Sequence, residues 1–594
     1  MKELEYPFDS EYIMRKKKSI RKTLLSSDRE WTEKRIAILG GSTTNDITLV
    51  LELFLLHYGI KPEFYESEYN QFYQDAVFGN EELDHFAPDI IFIHTTNRNI
   101  LHYPVVGDDE TEVEQKFRSE LERYTSVWEK LRERFSCPVI QNNFEYPFYR
   151  LLGNKDVSDI HGRVNFITRL NLEFAQYARE HDNLYINDIN YQSSVYGLDR
   201  WSDEFYWYMY KYALTIAAIP VLTYNVANMI KAIYGKNKKA LVLDLDNTLW
   251  GGIVGDDGVE NLEIGKETAI GEAFLEFQEY LQSQKQLGIL LNINSKNDIA
   301  NAIAGLHHPQ SALKQEDFVV IKANWEPKSA NLRAMAEELN IGLDSIVFVD
   351  DNPAEREIVY QQCPEVSAPD MGDRPEKYIR RLDRSGFFEC VSLSGEDFGK
   401  TEMYRQNAKR AAEEKQFANY EDYLLSLNMK ARIEPFVPLY MQRIAQLTNK
   451  SNQFNLTTRR YTQSEIERIA QDRQYITLYG SLEDKFGDNG IVSVVIGHIT
   501  ENVMDIDLWL MSCRVLKRDM EYAMMDELAE AAKRVSVDTI YGYYYPTAKN
   551  GMVRDFYKLQ GFDKVSEDEK GNTKWQLKLE DYHKQNQYIR LKKK

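Results

Sequence analysis

The sequence predicts an α/β protein of several domains, with parallel sheets in the first part of the chain and a mixed α+β domain at its end. Short apolar runs alternate with helical segments, which is typical of parallel strands joined by crossover helices. Several of these runs end in Asp, Asn or Ser. The chain has 594 residues, more than one hydrophobic core accommodates, so we expect three or more domains.

The composition argues against two classes of partner. The chain carries 73 Lys and Arg against 93 Asp and Glu, a net charge of −20, whereas a duplex nucleic-acid binder must neutralise many phosphates. No apolar run approaches the roughly 20 residues that span a membrane, and the N-terminus lacks an apolar signal core. The widely spaced cysteines form no metal-binding pair and fit a reducing cytoplasm. We therefore expect a cytoplasmic protein with no nucleic acid and no membrane span.

Residues 1–34 are predicted to form a basic helical segment. The basic stretch 14–25 is amphipathic, with Met14, Ile20 and Leu24 on its apolar side. It either docks an acidic partner through its charges or packs on the protein through those apolar residues.

Residues 35–235 are predicted to form a parallel α/β domain that resembles the SGNH hydrolases. A strand followed by a Gly-rich turn leads to Ser42, which matches the nucleophile of that family. Asn97 matches their oxyanion residue, with the Gly41 and Ser42 amides assisting. The family's late Asp-x-x-His pair is missing, because segment 200–208 contains no histidine. Without a base, serine is a poor nucleophile, so we expect a degenerate hydrolase fold that binds or recognises.

Residues 236–390 begin with an apolar strand that ends at Asp244 and Asp246. Alternation along the strand directs both carboxylates to one side, and like charges that close repel unless a cation or a shared proton lies between them. Mg²⁺ binds few carboxylates and keeps positions open for phosphate oxygens. This predicts a phosphoryl-transfer centre with Asp244 as nucleophile and Asp246 as acid/base. The alternative is a solvated Asp-Asn turn at a strand edge.

Later segments supply the remaining groups of this centre. One buried strand ends at Ser295, another ends at Asp350 and Asp351, and a helix begins near Lys328. The carboxyl ends of parallel strands share one edge of the sheet, so these groups can converge. Ser295 would hold a phosphate oxygen, and Lys328 would neutralise charge on the transferring group. The predicted Mg²⁺ ligands are Asp244, Asp246, Asp350 and Asp351.

This set resembles the haloacid-dehalogenase (HAD) phosphotransferases, and the motifs are most similar to those of FkbH-family proteins. The motifs are 244–256, 295–298, 324–329 and 348–356. The resemblance extends along nearly the whole chain. It implies a Mg²⁺-dependent enzyme that takes a glyceryl unit from a phosphorylated small-molecule substrate, 1,3-bisphosphoglycerate, and removes the phosphate. It also implies an acyl carrier protein as partner, whose phosphopantetheine thiol receives the acyl unit.

The site is predicted to be open, with a hairpin flap at 251–265 and little else as a cap. An open site suits a substrate carried on a large partner, since small metabolites more often need a lid. Trp250 lies either near the substrate or only in flap packing.

Some FkbH relatives have Cys where this chain has Asn294. Without a thiol at this position, three outcomes are implied: the acyl unit passes directly to the carrier, it is first bound to Cys513, or the product is a different one.

Residues 391–427 are predicted to be a helical linker, 428–582 a mixed domain and 583–594 a basic tail. A turn at 486–490 leads into a hairpin, and a helix follows from about residue 511. The pattern resembles the GNAT acyltransferases, whose strand-to-helix loop binds the CoA pyrophosphate.

The GNAT-like loop of this chain departs from the family pattern. Arg514 fits its first position, but Lys517 and Asp519 replace small residues, so acetyl-CoA binding in the usual mode is not expected. Lys517 and Arg518 would instead bind a carrier's phosphopantetheine phosphate. Cys513, beside Arg514, is either a reactive thiol or an inert buried one. Tyr557 is either a general acid or a core aromatic.

Three functions remain open at this point. The first is an FkbH-type enzyme that transfers an acyl unit to a carrier thiol. The second is a phosphatase working through an aspartyl-phosphate. The third is a recognition scaffold. The altered SGNH-like and GNAT-like positions favour this function, but only for those two domains.

Overall fold

A computed structural model describes residues 1–27, 29, 31–393, 397–414, 416–451, 453–512, 515–547 and 550–592. Among these residues the chain divides into two compact units. The first holds Met1–Ile233 with Thr462–Glu465, and the second holds Tyr234–Tyr461 with Ile466–Lys594. Each unit contains a parallel sheet, and the second also contains a mostly antiparallel one. This mixed α/β architecture confirms the predicted fold class.

The first unit is built on a parallel sheet. Its strands are β1 (Thr32–Gly40), β2 (Ile60–Glu66), β3 (Ile90–His94), β4 (Val139–Asn142) and β5 (Leu184–Asn187), in the order β2-β1-β3-β4-β5. β3 is buried along its whole length, as expected for a central strand covered on both faces. The ends of β1 and β3 are therefore neighbours at the carboxyl edge of the sheet.

Helices of the first unit cover this sheet and its edges. They are α1 (Ser10–Leu25), α2 (Asn45–His57), α3 (Phe72–Val77), α4 (Glu81–Phe86), α5 (Glu110–Arg134), α6 (Arg163–Glu180), α7 (Ile189–Tyr196), α8 (Leu198–Trp201), α9 (Glu204–Tyr210) and α10 (Ile219–Ile233). α1 packs against α2 and α10, with Ile20 and Leu24 buried. Lys17 pairs with Asp46 of α2 at 2.5 Å. The basic segment therefore packs on the protein through its apolar residues, which is the second of the two alternatives given for it.

The sequence predicted no run of spanning length, but in the described chain the segment Ile216–Ile233, which contains α10, is long and apolar enough to cross a membrane by length and composition alone. It is 72% buried inside the protein. α10 packs against α2 and α1. Its apolar side chains are therefore those of a core helix.

The second unit begins with another parallel sheet. Its strands are β6 (Ala240–Leu243), β7 (Leu290–Ser295), β8 (Phe318–Ala323) and β9 (Ile346–Val349), in the order β8-β7-β6-β9. Its helices are α11 (Val254–Asp257), α12 (Ala269–Gln286), α13 (Ile299–Leu306), α14 (Lys328–Leu339), α15 (Pro353–Gln362) and α16 (Tyr378–Arg384). Because β6 lies between β7 and β9, the groups that follow these three strands meet at one edge.

The flap is not the hairpin that the sequence predicted. Gly251 and Glu263 form an isolated antiparallel bridge, but the chain between them forms the short helix α11. The Asp257 carboxylate accepts a hydrogen bond from the Ile253 amide at 2.7 Å, and Gly258 adopts a positive φ of 77°. A local side-chain-to-backbone bond and a left-handed glycine favour a compact turn over two paired strands.

Two helices lead from the parallel sheet to the rest of the second unit. α17 (Lys400–Glu414) and α18 (Tyr420–Ser426) lie within the predicted linker. α17 contacts β8, and the Arg405 guanidinium donates to the Phe318 carbonyl at 3.3 Å. This helix is therefore packed on the sheet.

The mostly antiparallel sheet has the order β16-β17-β15-β14-β13-β12-β10-β18. Its strands are β10 (Lys430–Glu434), β11 (Phe454–Asn455), β12 (Tyr475–Asp484), β13 (Gly487–Thr500), β14 (Val503–Met511), β15 (Thr539–Tyr544), β16 (Asp563–Glu567), β17 (Thr573–Lys578) and β18 (Arg590–Leu591). Its helices are α19 (Met441–Lys450), α20 (Gln463–Gln471), α21 (Met520–Arg534) and α22 (Phe556–Leu559). The segment predicted as a basic tail thus contributes β18, which pairs with β10.

β11 lies where β14 and β15 separate. These two strands pair in parallel only through Val503–Asp505 and Thr539–Tyr541. Further along, Asn455 of β11 pairs with Leu510 of β14. On its other side, the Tyr545 amide donates to the Leu456 carbonyl at 2.9 Å. The chain's own residues therefore fill the gap between the two strands.

Candidate active site

The carboxyl edge of the parallel sheet in the second unit brings the predicted acidic residues together. Asp244 follows β6, and Asp350 and Asp351 follow β9. The Asp244 amide donates to the Val349 carbonyl at 2.9 Å, which fixes one strand end beside the other. One oxygen from each of the three carboxylates lies within 4.8 Å of the others.

This group of carboxylates fits a hard divalent cation. Asp350 is fully buried and Asp244 nearly so. Within the described part of the chain, Oδ1 of Asp244 is buried and has no hydrogen-bond partner. A buried carboxylate oxygen is unfavourable unless a proton donor or a cation satisfies it, and Mg²⁺ prefers carboxylate ligands. Asp244, Asp350 and Asp351 would hold the ion.

Lys328 lies in the same group, as predicted, at the first residue of α14. Its Nζ lies 3.0 Å from Oδ2 of Asp244 and 2.5 Å from Oδ2 of Asp350. Burial works against the charged ammonium, but the two carboxylates outweigh it and hold the pKa of Lys328 above its usual value. Burial, together with the Asp244 charge, raises the pKa of Asp350. The cluster therefore keeps a cation beside the predicted nucleophile.

The sequence predicted Asp246 as a fourth Mg²⁺ ligand, but the structure does not bring it into the group formed by Asp244, Asp350 and Asp351. Its carboxylate turns toward the flap instead. Its Oδ1 accepts from the Val254 amide and the Trp250 indole, each at 3.0 Å. Its Oδ2 accepts from the Asn297 side-chain amide at 3.0 Å. Burial raises the pKa of Asp246. An acid held by neutral donors beside the nucleophile is placed for proton transfer.

The position of Trp250 fits the flap-packing alternative, and its indole also makes one hydrogen bond at the site. Its side chain is buried and packs against Gly305, where an added Cβ would lie 2.7 Å from the indole. Its N–H holds Asp246. Trp250 is therefore a packing residue of the flap that also orients the predicted acid/base.

Ser295 ends β7 and is buried. Its carbonyl accepts from the Asn324 amide at 3.2 Å, which ties the loop before α14 to this strand. Next to it, the Asn294 side chain donates to the Lys328 carbonyl at 2.9 Å and accepts from Asn331 at 3.0 Å. Asn294 thus anchors the start of α14, the position from which Lys328 reaches the carboxylates.

Three supporting residues were given no role by the sequence analysis. Thr248 accepts from the Asp351 amide at 3.2 Å. Arg356 donates to the carbonyls of Asp350 and Asp351 at 2.7 and 2.8 Å. Asn297 holds Asp246. All three lie inside the motifs that carried the resemblance, so their position in those motifs was the available signal.

Among the C-terminal loop residues predicted to bind a phosphate, the described chain places Arg518 in a different role. Cys513 and Arg514 lie outside the described residues. Arg518 is buried, and its guanidinium lies 3.2 Å from the Asp484 carboxylate, which Arg410 also contacts at 2.6 Å. This corrects the prediction for Arg518, because its charge is used inside the protein.

Lys517 and Tyr557 occupy contrasting positions. Lys517 is exposed with a positive φ of 64°, and its carbonyl accepts from the Tyr420 hydroxyl. Tyr557 is fully buried, packs between Phe556 and Phe562, and has a pKa raised by burial. Its position fits the alternative of a core aromatic.

The predicted serine site of the first unit lacks its catalytic partners. Ser42 is 2% exposed, and its Oγ has no hydrogen-bond partner among the described residues. The Gly41 amide donates to the His94 carbonyl at 2.9 Å, and the Asn97 side chain donates to Glu145 at 2.7 Å. Two of the three expected oxyanion donors, Asn97 and the Gly41 amide, are thus engaged elsewhere. The sequence analysis had assigned no role to Glu145.

Comparisons with known proteins agree with part of this description. Residues 35–231 match the family model described as FkbH, N-terminal domain. A crystal structure from Bacteroides fragilis, the N-terminal part of protein BF1531 containing a phosphatase domain complexed with Mg, is 29% identical with a TM-score of 0.59. That match covers 64% of this chain and 99% of the other.

Acetyltransferase structures also match, over a smaller part of the chain. The ribosomal-protein-S18-alanine N-acetyltransferase from Escherichia coli is 11% identical, with a TM-score of 0.20, covering 25% of this chain and 94% of its own. A GNAT-family acetyltransferase from Streptococcus pneumoniae is 14% identical, with a TM-score of 0.22, covering 25% and 99%. No curated protein matches.

Proposed function

We propose that the parallel sheet of the second unit carries a Mg²⁺-dependent, HAD-type phosphate-transfer enzyme that works through an aspartyl-phosphate. The observation that carries this proposal is Asp244, which pairs with Lys328, lies in one group with Asp350 and Asp351, and has one buried oxygen without a hydrogen-bond partner among the described residues. The phosphatase domain with Mg in the 29% identical Bacteroides fragilis structure supports it.

In this mechanism, an oxygen of Asp244 attacks the substrate phosphorus, and the bond from phosphorus to the leaving oxygen breaks. Asp246 gives its proton to that oxygen and later takes one from the nucleophile that resolves the aspartyl-phosphate. Lys328 stabilises negative charge on the transferring group. Bound Mg²⁺ would neutralise the phosphate oxygens and orient them for attack.

The finer proposal is an FkbH-type reaction in the cytoplasm. The donor is a phosphorylated three-carbon acid such as 1,3-bisphosphoglycerate, from which Asp244 first removes the ester phosphate at C3. The phosphopantetheine thiol of an acyl carrier protein then attacks the C1 acyl carbon, and the thioester forms as the C1 phosphate leaves. The match of residues 35–231 to the FkbH N-terminal domain supports this reading. The short flap, which leaves room for a macromolecular partner, supports it as well.

A stand-alone phosphatase is the second candidate. Arg518 is bound to Asp484 inside the protein, so it offers no charge to a carrier's phosphate. Asn294 is hydrogen-bonded at the start of α14 and supplies no thiol to carry an acyl unit. In both candidates the first unit binds or recognises, because Ser42 lacks a bonded base.

The test follows phosphate release and carrier mass together. The protein is incubated with Mg²⁺, 1,3-bisphosphoglycerate and a holo acyl carrier protein, and we expect a glyceryl-sized mass gain on the carrier. Asp244→Asn should lower both signals by at least about 10³-fold. The exposed Asp373→Asn serves as the matched control and should change neither. Phosphate release with an unmodified carrier would favour the phosphatase, and full activity of Asp244→Asn would refute the centre itself.

A further inference from the structure

Trp325 is an exposed aromatic residue at the edge of the phosphate-transfer site. Its side chain is 71% exposed, although single exposed apolar residues are common and need no explanation by themselves. It lies between β8 and α14, three residues before Lys328. The question is whether this indole is a free surface side chain or a fixed one.

The indole is fixed by a hydrogen bond to the neighbouring loop. Its N–H donates to Oδ1 of Asp298 at 3.0 Å. Asp298 follows Asn297, whose amide holds Asp246. The indole therefore joins the loop after β8 to the loop after β7, at the carboxyl edge of the sheet and next to the residue that holds Asp246.

The loop that bears the indole is also locked. The Asn324 amide donates to the Ser295 carbonyl, and the Asn324 side chain accepts from Asn331 at 2.9 Å and from the Glu326 amide at 3.1 Å. Holding a large apolar ring in water with this many bonds costs conformational entropy. Such preorganisation is useful where a ligand packs against the ring.

Other exposed apolar side chains lie beside the same loops. Ile299 is 51% exposed and follows Asp298, and Ile253 of the flap is 45% exposed. The flap approaches this region at Gly255, where an added Cβ would lie 3.4 Å from the Asn301 side chain. The opening of the site thus has an apolar side, although phosphate itself requires none.

We propose that Trp325 is a specificity-determining residue that packs against an apolar segment of the phosphate-bearing substrate. The inference rests on the proposed phosphate transfer at Asp244 and deepens it by naming the substrate class: phosphate esters whose organic part carries an alkyl-like segment. Such a preference favours a phosphate ester with an apolar arm over the three-carbon acid of the finer proposal, and it therefore favours the phosphatase candidate.

The test uses n-propyl, n-pentyl and n-heptyl phosphate with Mg²⁺, because their leaving alcohols have nearly equal pKa values and differ only in apolar length. We expect kcat/KM to rise about twofold or more per added methylene, so at least about 16-fold over the four methylenes from propyl to heptyl. Trp325→Ala should lower kcat/KM most for heptyl phosphate and so reduce this rise to less than about twofold. Trp325→Phe should keep most of it, and the exposed, remote Leu439→Ala should keep all of it.

The outcomes separate this inference from the proposed function. Turnover without chain-length dependence in the wild type overturns the role of Trp325 and leaves the phosphate-transfer proposal standing. An equal loss for all three esters in Trp325→Ala overturns it too, since only loop positioning would then be affected. No Mg²⁺-dependent turnover of any phosphate ester overturns the proposed function and this inference with it.

Discussion

Glu145 of the first unit is a buried carboxylate whose protonation couples to folding. It accepts from the side chain and amide of Asn97, and burial raises its pKa from the usual 4.5 to about 7. Between these values the folded protein holds a proton that the unfolded chain has released. The stabilising contribution of the protonated Glu145 side chain is therefore complete below pH 4.5. It is lost as the pH rises to 7 and amounts to about 3 kcal/mol in all.

We expect Glu145→Gln to remove this pH dependence. The fall in the free energy of unfolding of the first unit between pH 5 and pH 8 should shrink by about 2 to 3 kcal/mol, measured by denaturant titration at each pH. The exposed Glu133→Gln is the control and should leave the slope unchanged. An unaltered slope in Glu145→Gln would show that Glu145 is ionised throughout this range.

At the same residue scale, Asp246 shows what a motif can and cannot predict. The spacing of Asp244 and Asp246 indicates two carboxylates on one side of a strand end, and both do lie at that edge. The direction of the Asp246 carboxylate depends on Asn297 and the flap. Those partners are distant in sequence, and their geometry follows from tertiary packing that spacing does not encode.

At the scale of elements, α17 is attached to the antiparallel sheet by a buried ionic group. Arg410 of α17 and Arg518 both contact the fully buried carboxylate of Asp484, at the end of β12. Two buried guanidinium groups without their carboxylate would be strongly unfavourable. Burial and the nearby Arg410 already lower the pKa of Arg518 to about 10.

Asp484→Asn should therefore destabilise the second unit by about 3 to 5 kcal/mol. The measurement is chemical denaturation followed by tryptophan fluorescence and circular dichroism. The neighbouring Glu483 forms a surface pair with Lys592, so Glu483→Gln should cost less than about 1 kcal/mol. Equal effects of the two substitutions would contradict the structural role of the buried group.

The strands were more predictable than the connections. β6 and β9 are continuous apolar runs, and β7 is a buried strand interrupted by Asn292 and Asn294. The groups that follow these strands meet at one edge as their parallel order requires. The flap departs from prediction because of one local carboxylate bond from Asp257 and the left-handed Gly258. Arg518 differs from its predicted role because it pairs with Asp484 at the end of β12. Local sequence does not show this pairing.

At the scale of the whole molecule, all residues of the proposed phosphate site lie in the second unit. A chain that begins at Tyr234 should therefore keep Mg²⁺-dependent hydrolysis of acetyl phosphate within about threefold of the full protein. Circular dichroism confirms folding of the shorter chain before the assay. A well-folded but inactive second unit would show that the first unit contributes directly to the chemistry.

β11 also determines what the antiparallel sheet can accept. Extended peptides bind many proteins by adding a strand to an open sheet edge. Between β14 and β15 that place is already taken, because Asn455 pairs with Leu510 and Leu456 accepts from Tyr545. An incoming extended ligand must first expel these residues, and the free energy of that expulsion is subtracted from its affinity. Among the described residues, the gap between β14 and β15 is thus filled by β11 and the residue that follows it.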